Sequence, residues 1–262
     1  MLKKYDLHTH TFFSDGKFSP EEMILSAIDH GFAAIGITDH AYAGDEVSWW
    51  MSKEKTKEYI SLIPQLKEKY KDKITVLLGT EFDAFSLGSL DPYDYVIGSV
   101  HFVEKNGKWW PIDSTKEEQA EGINAFGGDP YAFCKEYYRL LKKFADVPKI
   151  KIVGHFDLLE KFNENNDVFD RTDTRYLDCA LDALHTLNAA GKAFEINTGA
   201  MFRVGRSTPY PNEIILKELA RIGGRICFGS DAHSTKAVGF NFDVAAALCE
   251  KYGLKTLELP IE

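Results

Sequence analysis

The chain has few cysteines and no long apolar run, and each shortage excludes a class of protein. Its four cysteines form no CxxC pair, so we expect reduced and mostly buried thiols, at Cys134, Cys179, Cys227 and Cys249. No segment is apolar for long enough to span a membrane, and residues 1–4 lead directly into a strand-like run instead of a signal peptide. These features predict a cytoplasmic protein without a membrane partner.

Basic residues are also in the minority, since 31 Lys and Arg face 40 Asp and Glu, for a formal net charge of −9. Without a basic stripe, the chain is not expected to bind nucleic acid. Its 262 residues are 44% hydrophobic, which is enough to bury a large core. Because no linker, compositional break or repeat interrupts them, we predict a single domain over residues 1–262.

Short apolar runs alternate with amphipathic segments along the whole chain. Strands are predicted at residues 5–7, 33–38, 74–78, 93–100, 150–153, 193–197 and 225–228. Helices are predicted from Ser19-Pro20 to Gly31 and at residues 53–70, 131–144, 175–190, 211–222 and 242–252. Nearly continuous apolar strands are typical of a parallel sheet that is covered on both faces. The repeated strand–helix units predict an α/β fold, a closed or nearly closed barrel of seven units, with eight as the alternative.

Two insertions interrupt this alternation, at about residues 41–51 and 102–129. The first contains Trp49-Trp50 and the second contains Trp109-Trp110. Both follow the carboxyl ends of predicted strands, where barrel enzymes build their sites. The aromatic pairs are compatible with a substrate pocket or lid, and equally with a simple cover over the barrel mouth.

Histidines and carboxylates recur just beyond six of the predicted strand ends. In a barrel these ends share one rim, so side chains far apart in sequence would converge there. Zinc, iron and manganese all accept imidazole and carboxylate ligands. The candidate ligands are His8, His10, Asp15, His40, Glu81, His101, His155, Asp231 and His233. A set of nine is too large for one tetrahedral ion and predicts two or three divalent ions with a bridging carboxylate.

Each candidate ligand also has an ordinary structural interpretation, such as a hydrogen-bonded core histidine or a helix cap. Metal binding is favoured because the same pattern recurs at six strand ends. His30 and His185 are exceptions, because both fall within helical patterns, and we assign them to structure.

In this order and spacing the motifs resemble those of the polymerase and histidinol phosphatase (PHP) family. The matching motifs are His8-x-His10, Asp15, Thr38-Asp39-His40, Gly79-x-Glu81, His101, Gly154-His155 and Ser230-Asp231-x-His233. The resemblance covers the whole chain, with no appended polymerase domain. The segment from Glu195 to Gly199, followed by Arg203 and Pro209-Tyr210-Pro211, is similar to the stand-alone histidinol-phosphate phosphatases of the family.

The resemblance implies a distorted seven-unit TIM-like barrel with a trinuclear metal centre. It implies a first ion held by His8, His10, Glu81 and Asp231. Through Glu81 this ion would be bridged to a second, held by His101 and His155. A third ion would be held by Asp15, His40 and His233.

The expected activity is hydrolysis of a small phosphate monoester, foremost L-histidinol phosphate, by attack of a metal-bridging hydroxide on phosphorus. Arg203 is the preferred phosphate ligand, because a guanidinium matches phosphate geometry in a bidentate way. Arg206 and Lys161 are weaker candidates, for which an exposed charge is the preferred interpretation. Asp231 or His233 could assist proton transfer to the leaving oxygen.

Other functions stay open at this point. Another phosphoesterase of the family would act on phosphotyrosine or a nucleotide. An amidohydrolase-like C–N hydrolase also begins with an HxH motif, but commonly carries a lysine where Glu81 stands. A metal-binding scaffold without activity would be expected to lack ligands, and none is missing. The sequence does not indicate the oligomeric state.

Overall fold

The computed structural model describes residues 5–259, so residues 1–4, where no signal peptide is expected, lie outside it. The strands are β1 (Tyr5–Asp6), β2 (Ala34–Ile37), β3 (Thr75–Leu78), β4 (Glu81–Asp83), β5 (Val96–Ser99), β6 (Phe102–Lys105), β7 (Lys108–Pro111), β8 (Ile150–Val153), β9 (Ala193–Asn197), β10 (Arg225–Gly229) and β11 (Lys255–Thr256). The α-helices are α1 (Pro20–Asp29), α2 (Lys53–Tyr70), α3 (Lys116–Ala125), α4 (Pro130–Lys142), α5 (Thr174–Ala189), α6 (Gly199–Arg203), α7 (Glu213–Arg221) and α8 (Phe242–Tyr252).

Parallel strands form two sheets, which isolated bridges connect. One sheet has the order β1-β2-β3, and the other has the order β11-β10-β9-β8-β5-β4. Every pairing within them is parallel. Isolated parallel bridges beyond the strand ends, His40 with Glu81 and Thr9 with Ala232, connect the two sheets. The parallel α/β fold is therefore confirmed, and each of the predicted apolar runs contains a strand.

Sheet pairing changes between β3 and β4. The chain leaves the first sheet after Leu78 and joins the second at Glu81. Gly79 permits this step, because a Cβ there would lie 2.6 Å from Cγ2 of Thr38 and 2.9 Å from the Tyr95 ring. The strand pairing is thus interrupted at the point where the chain presents Glu81.

The core has two parts, as expected for strands that are covered on both faces. Residues such as Ile35 and Val76 belong to the larger apolar cluster with the helices. Their strand neighbours Ala34 and Leu77 belong to a smaller cluster made largely of strand residues. This alternation follows from the opposite orientation of successive side chains in a strand.

Several boundaries differ from the sequence prediction. The insertion at residues 102–129, for which no strand or helix was predicted, forms the antiparallel β6–β7 hairpin and α3. The predicted start of a helix at residue 211 is wrong, because Asn212 caps α7 by accepting from the backbone N–H groups of Ile214 and Ile215. The Ser19 cap of α1 is confirmed, with Glu22 completing a capping box.

The thiols agree with the sequence. All four cysteines are free, and Cys134, Cys227 and Cys249 are buried. Within residues 5–259, the structure contains no helix whose length and apolarity would suffice to cross a bilayer.

Candidate metal centre

All nine predicted ligands lie beyond the carboxyl ends of the parallel strands or at the sheet junction. Most are buried, with Asp15 and His233 the most accessible members. Their positions follow β1, β2, β5, β8 and β10, with Glu81 beginning β4. The shared edge of the strands therefore brings together residues that are up to 225 positions apart, as the sequence predicted.

Glu81 lies at the centre of the site and is 2% exposed. Its Oε2 is 3.3 Å from Nε2 of His8, 3.5 Å from Nε2 of His10 and 2.9 Å from Nδ1 of His40. Its Oε1 faces a second pair of rings, at 2.9 Å from Nε2 of His155 and 3.5 Å from Nε2 of His101. Each carboxylate oxygen thus faces its own set of imidazoles, which is the geometry of a bridging ligand.

Asp231 faces the Oε2 side of this site. Its Oδ1 lies 3.2 Å from Nε2 of His10 and 3.8 Å from Nε2 of His8. The residue has a positive φ of 52°, which is uncommon outside glycine but is adopted more readily by aspartate and asparagine than by most residues, and the chain turns here after β10. The turn places both Asp231 and His233 at the rim.

Asp15 organises the most exposed corner of the site. Its Oδ2 lies 2.9 Å from Nε2 of His233, and its Oδ1 lies 3.7 Å from both Nδ1 of His10 and Nε2 of His40. His10, Asp15, His40 and His233 can each offer one ligand atom to a common ion. His10 and His40 therefore each face more than one group of candidate ligands, which the sequence pattern did not indicate.

The donor atoms fit divalent ions. Nε2 of His8 and both ring nitrogens of His10 are buried without a hydrogen-bond partner among residues 5–259. Leaving such groups unpaired costs about 1–3 kcal/mol each. The Nε2 atoms of His8 and His10 both face oxygens of Glu81 and Asp231, which is explained if each Nε2 lone pair is reserved for a cation.

The electrostatic environment keeps the carboxylates charged. Burial raises the pKa of Glu81, but His8 and His40 outweigh it and hold that pKa well below its usual range. Burial, together with His233 and His40, lowers the pKa of His10 to about 3. Ionised carboxylates and a neutral imidazole are the forms that bind metal ions.

Two supporting carboxylates went unrecognised in the sequence pattern. Glu195 Oε1 lies 2.7 Å from Nδ1 of His8. Asp83 Oδ2 lies 3.2 Å from Nδ1 of His101 and accepts from its backbone N–H at 2.8 Å. An acidic residue within an otherwise apolar strand, as in the sequence AFEIN of β9, was the available signal.

The loop that carries Asp15 is held by another buried carboxylate, Asp39. Its oxygens accept hydrogen bonds from the backbone and hydroxyl groups of Thr11 and Ser14. The Thr38-Asp39-His40 motif therefore supplies a loop anchor beside a candidate ligand.

Arg203 and Lys161, two of the candidate phosphate ligands, line the same cavity as several of the candidate metal ligands. Arg203, whose side chain is 31% exposed, donates to Oδ2 of Asp231 at 2.7 Å. Lys161 donates to Oδ2 of Asp113 at 3.0 Å and is largely buried, so the expectation of an exposed charge is wrong for it. Both cations are positioned near the cluster.

Arg206, the third candidate, is placed differently. It is 6% exposed, so the exposed-charge interpretation is wrong here too. Its guanidinium donates to the backbone carbonyls of Glu160, Lys161 and Thr208 and lies over the Tyr210 ring. Arg206 lies outside the set of residues that line the cavity.

The cavity beside the candidate metal ligands has a volume of about 520 Å³. Trp49 and Phe102, one from each insertion, form an aromatic wall with nearly parallel rings 6.0 Å apart. The Trp49 ring also lies 4.5 Å from the His40 ring. Trp50 and Trp109 extend the contact between the insertions, at 6.0 Å. The aromatic residues therefore join the insertions over the site, which is compatible with a pocket wall as well as with a cover.

His30 and His185 lie away from the cluster, as expected. Nδ1 of His30 is 2.7 Å from the carbonyl oxygen of Ser26 at the end of α1. Nε2 of His185, on α5, is 2.5 Å from Oε1 of Glu218 on α7.

Comparison with known proteins places this geometry in context. The family model of the PHP domain matches residues 6–199. A Deinococcus radiodurans protein described as a probable histidinol-phosphatase is 29% identical over 96% of this chain and 95% of its own length. The solved structure of histidinol phosphate phosphatase from Lactococcus lactis, complexed with zinc, L-histidinol and phosphate, is 25% identical. It has a TM-score of 0.73 and covers 97% of this chain and 95% of its own. A Listeria monocytogenes structure at 24% identity shares the fold, with a TM-score of 0.81 over 92% of this chain and 99% of its own.

Proposed function

This chain belongs to the PHP domain family, and from that premise we propose that it is a metal-dependent phosphatase acting on L-histidinol phosphate. The observation that carries the proposal is the cluster around Glu81, where buried imidazole nitrogens without hydrogen-bond partners among the described residues face ionised carboxylates. The products would be L-histidinol and phosphate.

The choice of substrate rests on relatives that match along nearly their whole length. The Lactococcus lactis structure contains L-histidinol and phosphate together with zinc, and this chain aligns with 95% of it. Full-length similarity supports the same reaction more strongly than a shared domain would. The absence of a basic stripe in the sequence and a net charge of −9 further favour a small substrate over nucleic acid, and we place the reaction in the cytoplasm.

We propose two or three divalent ions, with zinc preferred and iron or manganese as alternatives. In the proposed arrangement His8, His10, Glu81 and Asp231 would hold one ion, and Glu81, His101 and His155 would hold a second. A third would be held by Asp15, His40 and His233. His10 and His40, which each face two groups of ligands, lie between these sites.

Bound ions would supply a nucleophilic hydroxide at neutral pH and would offset charge on the phosphoryl oxygens. The chain's own cations would complete the phosphate site, with Arg203 donating to phosphoryl oxygens in a bidentate way and Lys161 as a weaker second donor. Asp231 or His233 would pass a proton to the leaving alcohol. The wall of Trp49 and Phe102 would exclude water on the leaving-group side.

The test is phosphate release from L-histidinol phosphate before chelation, after chelation and after restoration of zinc, iron or manganese. We expect activity to fall by more than about 1,000-fold on chelation and to return with metal. Phosphotyrosine, a phosphodiester and an N-acyl substrate should be turned over more slowly. Faster turnover of one of these by the metal-replete enzyme would replace the substrate assignment, and no turnover of any would favour a scaffold.

A further inference from the structure

Glu195 contacts two segments of the chain that carry candidate metal ligands. It lies on β9 and is 1% exposed. Its Oε1 is 2.7 Å from Nδ1 of His8. Its Oε2 accepts from the backbone N–H of His155 at 3.0 Å and from Nδ2 of Asn197 at 2.8 Å. One buried carboxylate therefore contacts groups from two of the proposed ion sites.

The contact with His8 determines which ring nitrogen is available. A carboxylate only accepts hydrogen bonds, so the contact requires the proton on Nδ1 of His8. In the neutral ring, Nε2 is then the unprotonated nitrogen, and it lies 3.3 Å from Oε2 of Glu81 without a hydrogen-bond partner among residues 5–259. An unprotonated nitrogen is what a histidine needs in order to bind a metal ion.

Gly229 on the neighbouring strand β10 leaves room for the contact between His8 and Glu195. A Cβ on Gly229, in β10, would lie 1.7 Å from Oε1 of Glu195 and 2.9 Å from Cβ of His8. Only glycine fits here without displacing one of the two partners. The His8–Glu195 contact is thus fixed sterically as well as by hydrogen bonding.

We propose that Glu195 is a positioning residue that sets the tautomer of His8 for metal binding and holds the backbone of His155 beside it. The inference rests on the metal centre of the proposed function. It adds that Glu195 contacts a candidate ligand of each of two proposed ion sites. A substitution at Glu195 should therefore weaken metal binding, and more strongly at the site that includes His8.

Glu195→Gln is the sharpest substitution, because a glutamine cannot satisfy all three donors. If its carbonyl faces His155 and Asn197, its NH2 group faces Nδ1 of His8 and forces the proton onto Nε2. If it is turned the other way, its NH2 group opposes two donors. We expect metal affinity at the His8 site to fall about 10–100-fold, the effect typical of residues that orient a ligand.

Equilibrium dialysis against zinc followed by elemental analysis gives the number and affinity of bound ions independently of activity. Glu160→Gln is the matched control, since Glu160 is also fully buried but contacts Tyr176 and Asn212 instead of a candidate ligand. We expect the control to bind zinc like the wild type. Equal zinc binding by Glu195→Gln and the wild type would overturn the inference.

The wild-type protein provides a second measurement in case the variant does not fold. In the zinc-loaded enzyme, ¹⁵N NMR of labelled histidine should show the proton of His8 on Nδ1, with the signal assigned by its loss in His8→Gln. A proton on Nε2 would refute the role of Glu195 while leaving the phosphatase proposal standing. A wild-type protein that binds no zinc, iron or manganese would refute both.

Discussion

Two groups of buried carboxylates in this molecule have opposite surroundings. Glu81 and Asp231 face imidazole rings at the strand ends. Asp157 and Glu160, which follow β8, form a second group that we term the Glu160 network, together with Arg171, Tyr176 and Asn212. In that network, Glu160 Oε1 accepts from the Tyr176 hydroxyl at 2.6 Å and from Nδ2 of Asn212 at 2.8 Å.

The charge states of the two groups differ accordingly. Burial and the nearby Asp157 raise the pKa of Glu160 to about 7, against the smaller opposing effect of Arg171. Glu81 is equally buried, yet its pKa lies well below the usual range because of the surrounding histidines. Burial alone favours the protonated form of a carboxyl group. A buried carboxylate stays ionised only where several cationic or metal-binding groups surround it. The comparison distinguishes a candidate metal site from a network of fixed hydrogen bonds.

The largest effect should come from Glu81→Gln compared with Glu160→Gln. Removing the charge at Glu81 should abolish the bridge, release at least one ion, and reduce kcat/KM by more than about 1,000-fold. Glu160→Gln should keep its zinc and most of its activity. Zinc content and phosphate release measure both effects, and comparable losses in the two variants would remove the distinction between the groups.

A smaller effect concerns the pH dependence of stability in the Glu160 network. Because the folded-state pKa of Glu160, about 7, is above the ordinary value of 4.5, its contribution to stability is present below pH 4.5 and is lost as pH rises through 7. Glu160→Gln imitates the protonated form. It should therefore match the wild type near pH 4.5 and be more stable by up to about 3 kcal/mol near pH 8.

Urea unfolding of both zinc-loaded proteins across this range measures the difference. A gap that stays constant with pH would mean that Glu160 titrates normally.

The smallest effect separates the two arginines. Arg203→Ala should raise KM for L-histidinol phosphate and lower kcat/KM about tenfold, because a charged hydrogen-bond donor to phosphate is lost. Arg206→Ala should lower the free energy of unfolding instead, since its guanidinium holds backbone carbonyls. Steady-state kinetics and thermal unfolding of each variant test this division. Unchanged kinetics in Arg203→Ala would remove it from the phosphate site.

The candidate ligands could be predicted because their signal is local. All but Asp15 lie at or just beyond the end of an apolar run, and parallel strands bring such ends to one edge regardless of the loops between them. Glu195 gave a weaker signal, because one acid in a strand does not reveal which ring it contacts. The role of Arg206 could not be predicted, because the sequence does not distinguish an arginine that binds backbone carbonyls from one that binds phosphate.

Sequence alone determined the α/β pattern, the identities of the candidate metal ligands and the family that they resemble. These depend on residue type and on periodicity, both of which can be read directly. The tertiary structure decided that Glu81 faces imidazoles with both oxygens, that Glu195 contacts His8, and that Trp49 and Phe102 wall one cavity. These depend on distances between residues that are tens to hundreds of positions apart, and packing sets those distances.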